Sequence, residues 1–283
     1  SLFVLYYPDA YGEIREEDIK DIYDEFRRGG HSKVAQLENL DVLLHTYGGD
    51  PIAAYRIAQV IRSFSRHVVF LVPEYALSGG TLICLCANEI RMGDYAVLSP
   101  IDITISPPEQ PSEAIALMNI DAYMDFAEDS RRRVEELLHE LGSESSTTVE
   151  SDLLVEMVKQ VGALNIGGFY RERTFTEHYA QMLLGQYMFH TCPNKDDLIK
   201  SVVQQLLWEF PSHDYQMDYH ICKSAKLAVA EMTLEESDKT KELVNLLTNL
   251  ARQGIICKDI SEGLKMPFFR FYSLEESNER EEN

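Results

Sequence analysis

The sequence predicts an α/β fold, a mainly parallel sheet in about the first hundred residues with helical additions towards the C-terminus. Three observations carry this. Apolar, β-rich runs recur at 2–7, 40–46 and 67–72 without the alternation of a strand wetted on one face. Charged or periodic stretches with helical spacing separate them, the order expected of strands joined by helical crossovers. From Pro111 onward the pattern becomes mostly helical.

Taken in order, "LFVLYY" (2–7) reads as the first strand and "REEDIKDIYDEFRR" (15–28) as a helix closed by Gly29-Gly30. "LDVLLHT" (40–46) is the second strand, ended by "YGGD". Asp50 is placed to cap a helix with Pro51 in its first turn, running through "IAAYRIAQVIRSF". "HVVFLV" (67–72) is the third strand, stopped by Pro73. A helix then follows Ser78 as far as Ala87, and extended pieces follow at 89–92 and 96–99. In the second half "VEELLHEL" (134–141), "DDLIKSVVQQLLWEF" (196–210) and "TLEESDKTKELVNLLTNLARQG" (233–254) have one apolar face each, the last with Thr233 as cap and Gly254 as stop. "LNIGGFY" (164–170) and "HTCPNK" (190–195) read as turn-rich breaks. "MPFFRFY" (266–272) reads as a docking strand or a subunit contact. The expected organisation is an α/β core over 1–110, a helical extension completing it over 111–230, a helix and docking segment over 231–272, and an acidic tail over 273–283.

Composition narrows the function. Forty-seven acidic against 26 basic residues give a net charge of −21, which repels phosphates and argues against a nucleic-acid partner. Part of the excess lies in "SLEESNEREEN", a solvated end by its composition. The five cysteines are odd in number and have no metal-ligand spacing, so free thiols in a reducing compartment, no metal and no cofactor are expected. No apolar run reaches the roughly 18 residues of a spanning helix and no signal peptide is visible, so the expected location is the cytoplasm. The abrupt apolar start leaves room for an upstream segment.

The chemistry is expected where strands end, because open α/β sheets place ligands at the carboxyl edge of their strands. Two Gly-Gly turns fall there, Gly48-Gly49 and Gly79-Gly80, and the second follows Ser78 in "YALSGGT". A tetrahedral oxyanion needs two N–H donors close to its oxygen. One amide from each turn, beside the Ser78 hydroxyl, meets that need. Ser is also a favoured helix N-cap, so the stretch alone permits either a nucleophile or a cap.

"LLHTYGGDPIAAYRIAQVIRSF", "VVFLVPEYALSGGTLICLCANEIRMGDYAVLSPID" and "FPSHDYQMDYHICKSAKL" together resemble the serine dehydrogenase proteinase (SDH) family. That family belongs to the Clp-fold serine peptidases, related to signal peptide peptidase A and more distantly to crotonases. The likeness is strong over 40–103, moderate over 186–228 and weak elsewhere. It implies a Clp/crotonase-like ββα-spiral core with Ser78 as nucleophile and with Gly48, Gly49 and Gly79 around the oxyanion. It also implies a peptide or protein substrate and self-association into a homo-oligomer. Tyr47 stands where the family usually has Pro, and Gly79 where it often has Ala.

The general base is where this chain departs from the pattern. "SPID" replaces the Clp-type His, and the 35 residues after Ser78 contain no Lys. A serine hydroxyl is a weak nucleophile without a proton acceptor. His213 in "PSHDY" is the candidate, with Asp102 as its orienter and Asp214 as the alternative orienter. Triads are defined by geometry and role, whatever their chain order. Other readings stand beside these: His213 as a surface or capping residue, and Asp102 as a turn former next to Pro100. For the whole chain they are a catalytically silent Clp-fold scaffold or adaptor, or a crotonase-like acyl-thioester enzyme.

Overall fold

The computed structural model describes residues 1–7, 12–32, 34, 36–101 and 163–252, the strand pair 104–105 and 115–116, isolated helical residues between 128 and 136, and strand 268–272. The chain divides into two compact units. One comprises 1–101, 176–210 and 214–283; the other comprises 102–175 and 211–213. Within the second unit, Thr104–Ile105 (β7) pairs antiparallel with Ile115–Ala116 (β8). The predicted helix at 134–141, the Gly254 stop and the acidic tail lie outside the described residues, apart from helical Glu136.

In the first unit the strands are Leu2–Tyr6 (β1), Leu37–His45 (β2), Ser65–Val72 (β3), Tyr75–Ala76 (β4), Glu89–Met92 (β5), Val97–Leu98 (β6), Val229–Glu231 (β9) and Phe268–Tyr272 (β10). Six of them form one sheet in the order β10-β1-β2-β3-β5-β9, parallel throughout except where β10 runs antiparallel to β1. The Phe268–Tyr272 part of "MPFFRFY" is thereby docked through its backbone onto the first strand of its own chain.

The apolar runs are unbroken because this sheet is covered on both faces. Phe3, Leu5, Val42, Leu44, Val68 and Phe70 pack on one side, with buried residues of Glu16–Arg28 (α1), Pro51–Phe64 (α2) and Gly79–Cys84 (α3). Val4, Tyr6 and Leu43, one position out of phase, meet Val244, Leu247 and Ala251 of helix Leu234–Arg252. Phe26 bridges Phe3 and Phe64 with ring centroids 4.5 and 4.8 Å apart. Each such buried ring is worth about 1.5–3 kcal/mol. On the other face Tyr6 Oη lies 3.0 Å from Thr248 Oγ1.

The helix ends follow the sequence. Asp50 Oδ1 accepts from the Ile52 and Ala53 amides at 2.7 and 2.9 Å, with Pro51 in the first turn. Thr233 and Glu236 form a reciprocal capping box. Between those helices lie Ala163–Leu183 (α4), Lys195–Gln204 (α5) and Tyr219–Ser224 (α6), which makes Leu234–Arg252 α7. One expectation is corrected: "LNIGGFY" is helical, inside α4. Its two glycines cost about 1 kcal/mol each against Ala, but neither removes a backbone N–H, so a long helix propagates through them. The helix predicted over 196–210 changes pitch at Gln205, where a π-helical turn (Gln205–Glu209) takes over; another follows α4 at Leu184–Met188.

A second, smaller sheet crosses the strand ends. β4 pairs parallel with β6, Thr46 bridges Ala76, and Leu98 bridges Met217. Main-sheet strand, small-sheet strand and helix thus recur as β2, Thr46, α2 and as β3, β4, α3. This is the ββα repeat expected from the sequence, and it sets the turns after Thr46 and after Ala76 side by side.

α1 opens with a buried carboxylate. Asp18 Oδ2 accepts from the Arg15 amide at 2.8 Å and from the Tyr7 hydroxyl at 3.2 Å. Burial pushes the Asp18 carboxyl up to about 6, against the hydrogen bonds that favour its ionised form. A carboxyl raised by folding contributes stability below its unfolded value, and that contribution is lost as pH rises through the folded value. Asp18→Asn has no such proton to lose. It is therefore expected to gain thermal stability relative to the wild type as pH goes from about 4 to about 7. Paired melts at both ends of that range check this, and a constant difference between the proteins would contradict it.

Candidate functional site

The turn carrying Ser78 is built from its backbone upward. The Gly80 amide donates to the Leu77 carbonyl at 2.7 Å, closing a four-residue turn. Ser78 sits in its second position at φ 49°, ψ −112°, the values of a type II′ turn. Glycine normally holds that seat, because a side chain there is strained by about 1–3 kcal/mol. Ser78 also occupies the N-cap position of α3, yet its side chain makes no capping hydrogen bond. The capping alternative raised by the sequence is therefore not what this hydroxyl does. Ser78 is partly exposed, and among the described residues its hydroxyl has no hydrogen-bond partner.

The other Gly-Gly turn lies against it. Gly48 and Gly49 adopt φ 111° and 142°, and neither position has room for a side chain. A methyl on Gly48 would lie 2.8 Å from Ser78 Cβ and 3.2 Å from the Gly79 nitrogen; one on Gly49 would lie 2.3 Å from the Ile14 nitrogen. A methyl on Gly79 would reach the Gly49 oxygen and nitrogen at 3.0 and 3.2 Å. The backbone amides divide sharply. Gly48 N–H donates to Thr46 Oγ1, Asp50 N–H to the Ile14 carbonyl, Gly80 N–H to Leu77 and Ser78 N–H to Ser99 Oγ. Among the described residues no acceptor is found for the Gly49 or the Gly79 N–H. Of the three glycines that the resemblance places around the oxyanion, Gly48 has its amide taken by Thr46, whereas Gly49 and Gly79 have no acceptor among the described residues.

Around this turn Tyr47 is half-exposed and packs its ring at a tilt against Tyr75, centroids 4.4 Å apart, and Tyr75 in turn meets the buried ring of His45 at 4.1 Å. His45 Nδ1 lies 3.5 Å from Glu74 Oε2, inside the wall behind the turn, consistent with a structural histidine. Burial pushes the Cys86 and Cys222 thiols up to about 12 and the Cys84 thiol higher than usual. At neutral pH these are inert core residues and offer no rival nucleophile. Among the described residues no group of three or more His, Cys, Asp or Glu is placed to hold a metal.

The remaining candidates are less complete. Asp102 lies outside the described residues. His213 belongs to the second unit, half-buried, with its Nδ1 buried and without a hydrogen-bond partner among the described residues. Asp214 is exposed. Two residues went unnoticed in the sequence: buried Ser99, which accepts from the Ser78 amide at 2.7 Å, and buried Thr81, which accepts from the Ser99 amide at 3.1 Å. The only sequence signal for Ser99 is its place in "SPID", which drew attention to the aspartate.

The strained seat yields a stability test. Ser78→Gly relieves the positive φ, and Ser78→Ala does not. The glycine variant is expected to melt above the alanine variant, by the equivalent of about 1 kcal/mol after the glycine's unfolded-state entropy is deducted. Equal midpoints would mean that position 78 carries no strain.

Residues 18–141 match the family model of the ClpP-like SDH-type serine proteinases, the family read from residues 40–103 above. The matched span contains Gly48, Gly49, Ser78, Gly79 and Asp102 and excludes His213 and Asp214. Two uncharacterized proteins of Methanocaldococcus jannaschii are similar, one 36% identical over 103 residues and the other 30% identical over 116. Each match covers 36% of this chain, and 34% and 38% of the respective relative, so the chain spans about a third of the curated relatives it matches. Among solved structures, a mutant of a membrane-bound stomatin-specific protease is 18% identical with a TM-score of 0.30, over 49% of this chain and 63% of its own. A ClpP1 mutant from Listeria monocytogenes is 14% identical with a TM-score of 0.28, over 54% and 78%. Both are distant likenesses.

Proposed function

We infer that this chain is a serine peptidase that cleaves peptide bonds through an acyl-enzyme on Ser78. One observation carries the reading: a hydroxyl that declines to cap its own helix is presented by a strained turn, beside two backbone amides with no other acceptor among the described residues. The family match supports it. In the reaction, Ser78 Oγ adds to the carbonyl carbon of the scissile peptide while its proton passes to a base. The carbonyl oxygen, now negative, is held by the Gly49 and Gly79 N–H groups, which stabilise the addition more than the ground state. Collapse breaks the C–N bond, and the proton goes to the departing amine. Water then adds to the ester by the same route and frees Ser78.

The direct test is labelling with a fluorophosphonate probe, which phosphonylates activated serines. The wild type is expected to take up one equivalent, and Ser78→Ala none. Equal labelling of both rules Ser78 out. A folded wild type that takes no probe and hydrolyses no denatured casein favours the silent scaffold instead.

For the proton acceptor the proposal rests on sequence: His213, oriented by Asp102 or alternatively Asp214. His213→Gln is expected to lower the labelling rate by about 100-fold or more, within the range of lost general-base catalysis. An unchanged rate removes His213 from the mechanism. Peptide or protein substrates, self-association and a cytoplasmic location are parts of the same proposal. Among the described residues no helix is long and apolar enough to cross a membrane.

A further inference from the structure

The Ser78 amide is engaged by a side chain from just after β6 of the small sheet. It donates to Ser99 Oγ at 2.7 Å, and that hydroxyl donates its single proton to the Pro100 carbonyl at 3.1 Å, so a lone pair faces the amide. Ser99 is 2% exposed. Its own N–H donates to Thr81 Oγ1, whose proton goes to the Ala76 carbonyl at 2.8 Å. Two buried hydroxyls therefore tie together β4, the Ser78 turn, α3 and the segment after β6. That segment is fixed from its other side as well. Leu98 and Met217 exchange both backbone hydrogen bonds, at 3.0 and 2.9 Å, and the Ile101 amide donates to the Leu206 carbonyl at 3.1 Å.

We propose that Ser99 is the positioning residue of the nucleophile turn: its hydroxyl holds Ser78 at positive φ and occupies the Ser78 N–H, leaving Gly49 and Gly79 as the oxyanion's two donors. This rests on the serine-peptidase reading. Ser99 acts through Ser78 and touches no substrate. Without the anchor, φ at position 78 is free to return to the negative values that serine ordinarily adopts. That rotation carries the hydroxyl away from the Gly49 and Gly79 amides. The step lost is alignment, so the effect belongs on the rate of covalent reaction and not on probe binding.

The test compares wild type, Ser99→Ala and Ser99→Thr, each normalised to its folded fraction by thermal melt. Fluorophosphonate inactivation kinetics separate the maximal rate from the probe concentration at half-maximal rate. Ser99→Ala is expected to lower the maximal rate about 10- to 100-fold, the scale of a misplacement near 1 Å, with the half-maximal concentration unchanged. The pH midpoint of the rate should not move, because the base is untouched. Ser99→Thr keeps the oxygen and is expected to restore most of the rate. Hydrogen exchange at the Ser78 amide gives a readout independent of catalysis: it accelerates in Ser99→Ala and stays slow in Ser99→Thr. An unchanged inactivation rate in folded Ser99→Ala overturns the proposal, and so does undiminished protection of the Ser78 amide. If Ser99→Ala does not fold, Ser99→Cys replaces it with a weaker acceptor of similar size, judged by the same two measurements. A wild type that takes no probe sinks the peptidase reading, and the exchange rates then decide the anchor alone.

Discussion

Close approach of bare backbone between two glycine turns is the constraint on which the site depends. Gly48 meets Ser78 Cβ and Gly49 lies against Ile14 at distances no Cβ could occupy, and Gly79 meets the Gly49 peptide where a Cβ would be tight. Removing side chains at these points does more than permit tight packing. It brings two peptide planes from neighbouring crossovers within a few ångströms of each other. The sheet supplies the rest of the arrangement. β2 and β3 run parallel in register, so the chain leaves both at the same edge, and the Thr46–Ala76 bridge keeps the two exits together.

Commitment of the neighbouring amides gives this juxtaposition its chemical meaning. An N–H with a good internal acceptor is already stabilised, and a developing oxyanion gains little from it. The donors at 48, 50, 78 and 80 all have such acceptors. For those at 49 and 79 none is found among the described residues, although they sit within the same two turns. Open amides beside a buried core cost free energy unless water or a ligand reaches them. Strain at Ser78 adds a second cost in the same place. Two local penalties at one hydroxyl are what a chain shaped only for stability would remove, since glycine at 78 relieves one of them without disturbing the fold.

Much of this was legible in the sequence, for reasons that differ by element. The strands of the main sheet are buried on both faces, so their apolar runs stand out, and Asp50-Pro51 and Thr233 mark helix starts through local chemistry. Ser78, Gly49 and Gly79 were singled out because a Gly-Gly turn after a strand is itself a local signal. What was missed depends on contacts distant in sequence. Ser99 reaches the Ser78 amide across 21 residues, and nothing in "LSPID" encodes that. Gly167-Gly168 reads as a break, but a helix of 21 residues absorbs the local penalty. The change to π-helical pitch at Gln205 leaves the apolar spacing almost unaltered, so periodicity does not reveal it. His213, Asp102 and Asp214 rest on residue type and on the resemblance alone, because no turn or strand end marks them locally.

The anchors of the Ser78 turn reach well beyond the first hundred residues. β4 and β6 are two residues each, too short to fix a turn unaided. Their segment gains its rigidity from Met217 on one side and Leu206 on the other, both beyond residue 200. Leu206 lies in a π-helical turn, where the hydrogen-bond ladder is already displaced and a carbonyl is available to the Ile101 amide. The geometry at Ser78 is therefore completed only when the segments carrying Leu206 and Met217 have packed onto the first hundred residues. On the serine-peptidase reading, catalytic competence and that packing become one cooperative event. A chain ending after β6 would keep the Gly-Gly turns and the serine, but would lose the contacts that hold Ser99 against the Ser78 amide.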